Sequence, residues 1–143
     1  MLSKNKELLR VILSVALIIV GITHFTVWEQ YAKIVPPVFP NAVAMVYISG
    51  FFEILGGIGL LIPAVSRAAA WGIVALFIAV FPANLYQGIH HIHIDGIPYS
   101  ESPWFQLFRL PLQPVLIAWA WWYTKPTDGH QAAILETKDL TMR

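Results

Sequence analysis

The residues best suited to chemistry in this chain are a few polar side chains inside otherwise apolar segments. A carboxylate, Glu53, and a guanidinium, Arg109, lie in two separate apolar segments. An ionisable group at the centre of a membrane costs about 2.5–3.5 kcal/mol on insertion scales, so such groups face a protein interior and often mark functional sites. Glu53 and Arg109 could form a structural ion pair, or they could bind or protonate a ligand. We favour the second interpretation, which makes them the candidate catalytic residues.

Further polar or small residues accompany these two at helical spacing. Residues three, four and seven apart share one face of a helix. Four segments show such a stripe: Ser14, Gly21 and His24; Gly50, Glu53 and Gly57; Asn84, Gln87 and His91; Gln106, Arg109 and Gln113. With a rise of about 1.5 Å per residue, the stripes converge in one half of the helices, with His24 near the rim and Glu53 about 17 Å deep. They predict an outward-facing pocket in which a ligand or cofactor is held by His24, Asn84, Gln87 and Gln113.

Four long apolar segments must position these residues. Apolar residues make up 57% of the 143-residue chain and charged residues 12%, which is too few to cover a soluble domain. Soluble enzymes and nucleic-acid binders are therefore excluded, and the absence of cysteine excludes disulfides and thiolate chemistry. We predict an all-α integral membrane protein, an up-down bundle of four helices over about 8–26, 42–62, 67–90 and 103–124. This transmembrane domain, 1–124, precedes a short polar tail, 125–143.

The basic residues predict how the segments are oriented. Seven of them fall at the termini or in the connection between the second and third segments: Lys4, Lys6, Arg10, Arg67, Lys125, Lys138 and Arg143. The two other connections contain one, Lys33. Because Lys and Arg are retained on the cytoplasmic side of a membrane, both termini and the polar tail are predicted to be cytoplasmic.

A second polar cluster, His90, His91, His93 and Asp95, precedes the fourth segment. In extended backbone, His91, His93 and Asp95 would face one side, as half of a divalent-metal site could. The remaining ligands would have to come from Glu29, Glu101 or His24. We therefore favour an exposed loop that titrates near neutral pH, and predict no metal site.

Several short stretches resemble the DoxX family of small bacterial membrane proteins. They are Gly21-Ile-Thr-His-Phe, Phe51-Phe-Glu-Ile-Leu-Gly-Gly-Ile-Gly-Leu-Leu, Ala79-Val-Phe-Pro-Ala-Asn-Leu-Tyr, Arg109-Leu-Pro-Leu-Gln-Pro and Ala118-Trp-Ala-Trp-Trp-Tyr. The resemblance covers all four segments, and the positions it shares with the polar stripes are Glu53, Asn84, Arg109 and Gln113.

The resemblance implies a multi-pass protein of the bacterial inner membrane. DoxX-family members include small subunits of a thiosulfate:quinone oxidoreductase, and others are tied to oxidative-stress complexes or quinone resistance. The first hypothesis is accordingly a subunit or accessory of a quinone-linked redox system, with quinone as the candidate cofactor and a redox subunit as partner. The alternatives are a non-enzymatic binder or exporter of a small amphiphilic molecule, and a membrane assembly or scaffold protein. The sequence leaves open whether the protein is an enzyme, and whether the glycine-rich face of the second segment supports a homo-oligomer.

Overall fold

The computed structural model describes residues 4–125 and 136–142, and within them every regular element is a helix. The helices are α1 (Lys4–Thr26), α2 (Trp28–Ala32), α3 (Ala42–Leu61), α4 (Ser66–His90) and α5 (Pro103–Trp122), and residues 136–141 are helical as well. The all-α prediction is confirmed. The four predicted segments correspond to α1, α3, α4 and α5, although α1 begins earlier than expected. Much of the predicted tail lies outside the described residues.

Three helices of the described chain, α1, α3 and α4, are long and apolar enough to cross a membrane. The fourth predicted span, α5, has 20 residues but is not among them. Its polar stripe, Gln106, Arg109 and Gln113, and its interior prolines, Pro111 and Pro114, make it less apolar than the others. Membrane insertion is therefore supported by three of the four long helices.

The helix ends follow from local sequence. Asn41 precedes α3, and its side-chain oxygen accepts a hydrogen bond from the Ala44 amide at 3.0 Å. Ser102 precedes α5 and caps it in the same way, through the Trp104 amide at 3.1 Å. Both are N-caps of the type that Asn and Ser favour. At the other end, α4 stops where His91 adopts a left-handed conformation, with φ of 51°, which sends the chain into the loop of residues 91–102.

The long helices pack in chain order. α1 packs on α3, α3 on α4 and α4 on α5, while α2 lies against α3 and the end of α1. Helices α1 and α5 are described throughout, and no Cα atom of one lies within 8 Å of a Cα atom of the other. The first and last long helices of this series, α1 and α5, are therefore not in close backbone contact.

Small residues bring α1 and α3 together, as their spacing predicted. A Cβ atom on Gly21 would lie 2.7 Å from Ile54 Cγ1 and 2.9 Å from the Gly50 carbonyl oxygen. One on Gly57 would lie 2.8 Å from the Ser14 carbonyl oxygen. Contacts of this kind are too short for any side chain, so the glycines allow the backbones to approach closely. This packing fixes the height of α1 along α3.

An apolar core joins all four long helices at the end of the molecule where α1 begins and α5 finishes, which we call the closed end. Its buried members are Leu13, Leu17, Leu60, Ala70, Ile73, Val74, Phe77, Ala120 and Tyr123. The Tyr123 hydroxyl also donates a 2.9 Å hydrogen bond to the Lys6 carbonyl. Side chains therefore connect α1 to α5 at this end, while space remains between the helices toward the other end.

Candidate functional site

That space is a cavity of about 750 Å³ lined by all four long helices, by α2 and by the segment that follows α2. Most of the lining is apolar. The polar side chains that reach it are His24, Tyr31, Ser49, Glu53, Asn84, Arg109 and Gln113. Five of the six predicted site residues are therefore brought to one cavity from four different helices. A site of this kind, apolar with a few convergent polar groups, is typical of a small-molecule site.

Glu53 and His24 form a buried acid–imidazole pair on one wall of the cavity. Glu53 Oε2 lies 3.0 Å from His24 Nδ1, and the two residues are 7% and 8% exposed. Nδ1 is also 2.8 Å from the Val20 carbonyl oxygen, which can only accept, so Nδ1 carries the hydrogen. Glu53 Oε2 has no hydrogen-bond partner among the described residues. This oxygen is therefore a buried atom that can still form a hydrogen bond, in a residue that lines the cavity.

His24 is buried, whereas its place near the end of the first segment predicted a position at the rim. Its Cβ packs on Gly50, and Gly50 lies about two helical turns inside the start of α3. The reason is that α2 and the segment after it fold over the end of α1 and add a layer beyond it. From this layer Tyr31 stacks on His24, with ring centroids 3.9 Å apart, and its hydroxyl is 2.7 Å from Thr23 Oγ1.

A chain of hydrogen bonds forms a second polar cluster on the α4–α5 side. Arg109 Nη2 donates to Asn84 Oδ1 at 2.7 Å, Asn84 Nδ2 donates to Gln113 Oε1 at 3.0 Å, and Gln113 Nε2 donates to the Phe77 carbonyl at 2.6 Å. Phe77 is next to Ile78, whose carbonyl loses its helical N–H partner because Pro82 has none. Each amide thus uses both its donor and its acceptor side, which fixes the orientation of the guanidinium.

The structure does not support an ion pair between Glu53 and Arg109. Within the described residues the basic group beside Glu53 is His24, and the partner of Arg109 is the neutral Asn84. Arg109 uses one nitrogen in the hydrogen bonds of the described chain, so its other N–H groups are available to the cavity that it lines. The interpretation of a structural salt bridge is wrong. The ligand-binding interpretation stays a prediction.

Gln87 is the predicted site residue that the structure places elsewhere. It is fully buried but does not line the cavity, and its Nε2 donates to the Ile92 carbonyl at 3.3 Å. Gln106 behaves similarly, since its Nε2 donates to the Ser100 carbonyl at 2.9 Å. At the level of Gln87, one turn beyond Asn84, α4 packs against the loop of residues 91–102 and the start of α5, and no longer faces the cavity. These two glutamines therefore hold the loop in place.

The histidine-rich loop is folded and tied to α2. Asp95 accepts hydrogen bonds from Gln30 at 2.9 Å and from Lys33 at 3.1 Å, while His93 Nδ1 is 2.6 Å from Glu101 Oε2. The described residues contain no group of three or more His, Asp or Glu side chains that could hold a metal ion. The extended geometry considered for His91 is wrong because that residue is left-handed and ends α4.

Two exposed carboxylates of the loop have lowered pKa values. The hydrogen bond from Lys33 lowers the pKa of Asp95 most, followed by the one from Gln30. The hydrogen bond with His93 lowers the pKa of Glu101. In each case a donor stabilises the ionised form. The loop is thus held over the helix ends by charged groups.

Sequence reasoning missed Tyr31, Gln30 and Ser100. Ser100 is fully buried, and its hydroxyl accepts from the Ile94 amide at 2.7 Å. None of the three lies on an apolar periodic stripe, so helical spacing gave no signal. Tyr31 itself could have been considered as a site residue, because a tyrosine beside an apolar helix combines an apolar ring with a polar tip.

The cavity therefore offers two different kinds of polar contact to one apolar volume. The Glu53 carboxylate can accept a hydrogen bond, and the Arg109 guanidinium can donate several. A ligand that combines an apolar body with carbonyl or hydroxyl oxygens matches this set, and a strongly charged solute does not, because the rest of the lining is mainly hydrocarbon.

Comparison with known proteins gives a family but no activity. No curated protein and no solved structure matches the chain. The model of a family described as a domain of unknown function, DUF8561, matches residues 13–124. The match begins in the closed-end core of α1, runs through the whole cavity and ends just after α5. The chain belongs to the DUF8561 family.

Proposed function

We propose that the cavity binds a membrane-soluble molecule with an oxygen-bearing head group, a quinone first of all, and that the protein serves as a subunit or accessory of a quinone-linked redox system. The observation that carries the proposal is an apolar cavity that contains both Glu53 Oε2, which accepts no hydrogen bond from the described residues, and the Arg109 guanidinium, which uses one nitrogen in the described hydrogen bonds. The resemblance to the DoxX family, in which quinone-linked members occur, agrees with this assignment.

The residues present fit a quinone. Its flat ring needs apolar walls, and one of its carbonyl oxygens can accept a hydrogen bond from Arg109. Glu53 can accept a hydrogen bond from the hydroxyl of the reduced form. A bound quinone would carry electrons and protons between a partner subunit and the membrane pool. The role of this chain is to hold the head group, to orient it against Arg109 and to exclude water.

We further propose that α5 crosses the membrane with α1, α3 and α4 as a four-helix up-down bundle in the bacterial inner membrane, with both termini in the cytoplasm. Two observations support this. α5 shares the closed-end core with the three apolar helices, and it keeps its polar stripe away from lipid by bonding Gln113 to the Phe77 carbonyl of α4. The distribution of Lys and Arg sets the direction, so the cavity faces outward.

The separation of α1 and α5 gives a route into the cavity from the bilayer. Both helices line the cavity, yet they make no close backbone contact. The opposite approach, from water, is covered by α2 and the loop of residues 91–102, which are tied together through Asp95. A ligand dissolved in the membrane would therefore enter between α1 and α5.

Photolabelling of the purified full-length protein with an azido-benzoquinone that carries a short alkyl tail tests the proposal. Two glutamines of α5 make a matched pair: Gln113→Leu changes a cavity residue, and Gln106→Leu changes an equally buried residue outside it. We expect label on peptides of α1 and α5, competed by unlabelled quinone, lost in Gln113→Leu and retained in Gln106→Leu.

Equal labelling of the two variants, or label confined to lipid-facing residues, would contradict quinone binding in the cavity. Release of another amphiphile from the wild-type protein, and its loss in Glu53→Gln, would favour the alternative of a non-enzymatic binder or exporter. If the protein holds no ligand, and if Glu53→Gln and Gln113→Leu both assemble as the wild-type protein does, the scaffold alternative would be favoured.

A further inference from the structure

A groove at the closed end, separate from the cavity, combines an apolar slot with two fixed ammonium groups. It has a volume of about 500 Å³ and is lined by Leu9, Val115, Ala118, Trp119, Trp121 and Trp122. None of these six residues lines the cavity. We call it the Trp groove. It lies between the start of α1 and the last turns of α5, where those helices are connected by side chains.

The two ammonium groups stand over indole rings that line the groove. Lys6 Nζ lies 4.7 Å from the centre of the Trp122 ring, and Lys125 Nζ lies 4.2 Å from the Trp121 ring. Contacts of this length are cation–π interactions. They hold both long side chains at the groove, although the two lysines come from opposite ends of the described helical region.

Several of the described side chains near the Trp groove are basic. The carboxylate of Glu7 is engaged by Arg10, and Arg67 reaches the end of α5, where its Nε donates to the Thr124 carbonyl at 2.7 Å. The groove itself offers hydrocarbon and indole surface. A molecule that matches it must place an acyl chain in the slot and an anion beside Lys6 and Lys125.

We propose that the Trp groove binds an anionic phospholipid, with one acyl chain against the indoles and the phosphate between Lys6 and Lys125. Tryptophan and lysine at the end of a membrane helix lie at the level of lipid head groups, and basic residues there attract anionic lipid. The bound lipid would join α1 to α5 beside the hydrogen bond from Tyr123 to the Lys6 carbonyl. It would thereby stabilise the one end at which these two helices meet.

Native mass spectrometry of the full-length protein in detergent tests this, with phosphatidylglycerol and phosphatidylcholine of identical acyl chains as probes. We expect the wild-type protein to prefer phosphatidylglycerol by on the order of tenfold. Lys6→Gln combined with Lys125→Gln should abolish the preference, and the corresponding double change to Arg should retain it. Lys33→Gln removes a positive charge beside Asp95, at the other end of the helices, and should leave the preference intact.

Thermal unfolding supplies a second readout that does not depend on the mass spectrometer. Phosphatidylglycerol should raise the Tm of the wild-type protein and of the arginine variant, but not of the glutamine variant. Equal binding of the two lipids by the wild-type protein would overturn the proposal. So would a preference that survives in the glutamine variant, or binding of neither lipid, which would indicate that another part of the chain covers the groove.

Discussion

Arg109 donates a 2.7 Å hydrogen bond to Asn84, and Glu53 lies instead beside His24. The two ionisable groups are thus held in separate clusters on different walls of one cavity. A neutral amide fixes the guanidinium without neutralising it, so its positive charge stays available to a ligand. A ligand in the cavity can therefore donate a hydrogen bond to Glu53 on one wall and accept one from Arg109 on the other.

A double-mutant cycle should measure that separation. Asn84→Ala with Arg109→Leu should show a coupling free energy of about 0.5–3 kcal/mol, because the two side chains share a hydrogen bond. Glu53→Gln with Arg109→Leu should be additive to within about 0.5 kcal/mol. The measurement is the free energy of unfolding in detergent. Strong coupling of Glu53 to Arg109 would contradict the separation.

Close packing of α1 on α3 predicts opposite outcomes at two glycines. Gly50→Ala places a Cβ 2.9 Å from the Gly21 carbonyl oxygen and 2.5 Å from His24 Cβ, so we expect a loss of about 1–3 kcal/mol from overpacking. Gly72→Ala meets nothing within 4 Å and should be neutral or stabilising, by up to about 1 kcal/mol, from helix propensity. Thermal unfolding of both variants tests this, and equal destabilisation would contradict it.

The stack of Tyr31 on His24 predicts that the ring of Tyr31 contributes more to ligand binding than its hydroxyl does. Tyr31→Leu should weaken ligand binding, because His24 loses its stacking partner, worth about 0.5–1.5 kcal/mol beyond buried area. Tyr31→Phe keeps the ring, loses the hydroxyl that contacts Thr23, and should bind nearly as the wild-type protein does. Titration of the three proteins with a short-tailed benzoquinone measures the difference, and a larger loss in Tyr31→Phe would argue against it.

The two carboxylates of the loop, Asp95 and Glu101, should respond to acid only at low pH. The pKa values of Asp95 and Glu101 are lowered, so their hydrogen bonds are fully present above the ordinary values of 3.8 and 4.5. They are lost as pH falls through the lower values of the folded protein. Carboxyl NMR should therefore give midpoints below 3.8 for Asp95 and below 4.5 for Glu101.

Lys33→Met provides the control for this titration. It removes the largest cause of the shift at Asp95 and should raise the midpoint of Asp95 while leaving that of Glu101 in place. Ordinary midpoints in the wild-type protein would mean that the loop is not held over α2 as described.

The proposed orientation predicts where the tail is found. A fluorescent-protein fusion at the carboxy terminus should fold and fluoresce in the cytoplasm, and an alkaline phosphatase fusion at the same place should be inactive. The physical reason is the retention of Lys and Arg on the inner side. Active phosphatase would reverse the orientation and turn the cavity inward.

The sequence determined which stretches are helical and which face of each is polar or small. Composition and apolar length predicted the four long helices, and a period of 3.6 residues put Glu53 between Gly50 and Gly57, a face that indeed packs on α1. These properties follow from each segment alone, because helical spacing depends only on neighbours along the chain.

Tertiary structure decided which polar groups meet. Spacing gives the angle of a side chain around its own helix but neither the height of one helix along another nor its rotation toward a third. α2 folds over α1 and buries His24 beside Glu53, Arg109 turns to Asn84, and Gln87 turns to the loop. These choices depend on glycine contacts, a folded connection and hydrogen bonds between distant segments, all of which arise when the helices pack.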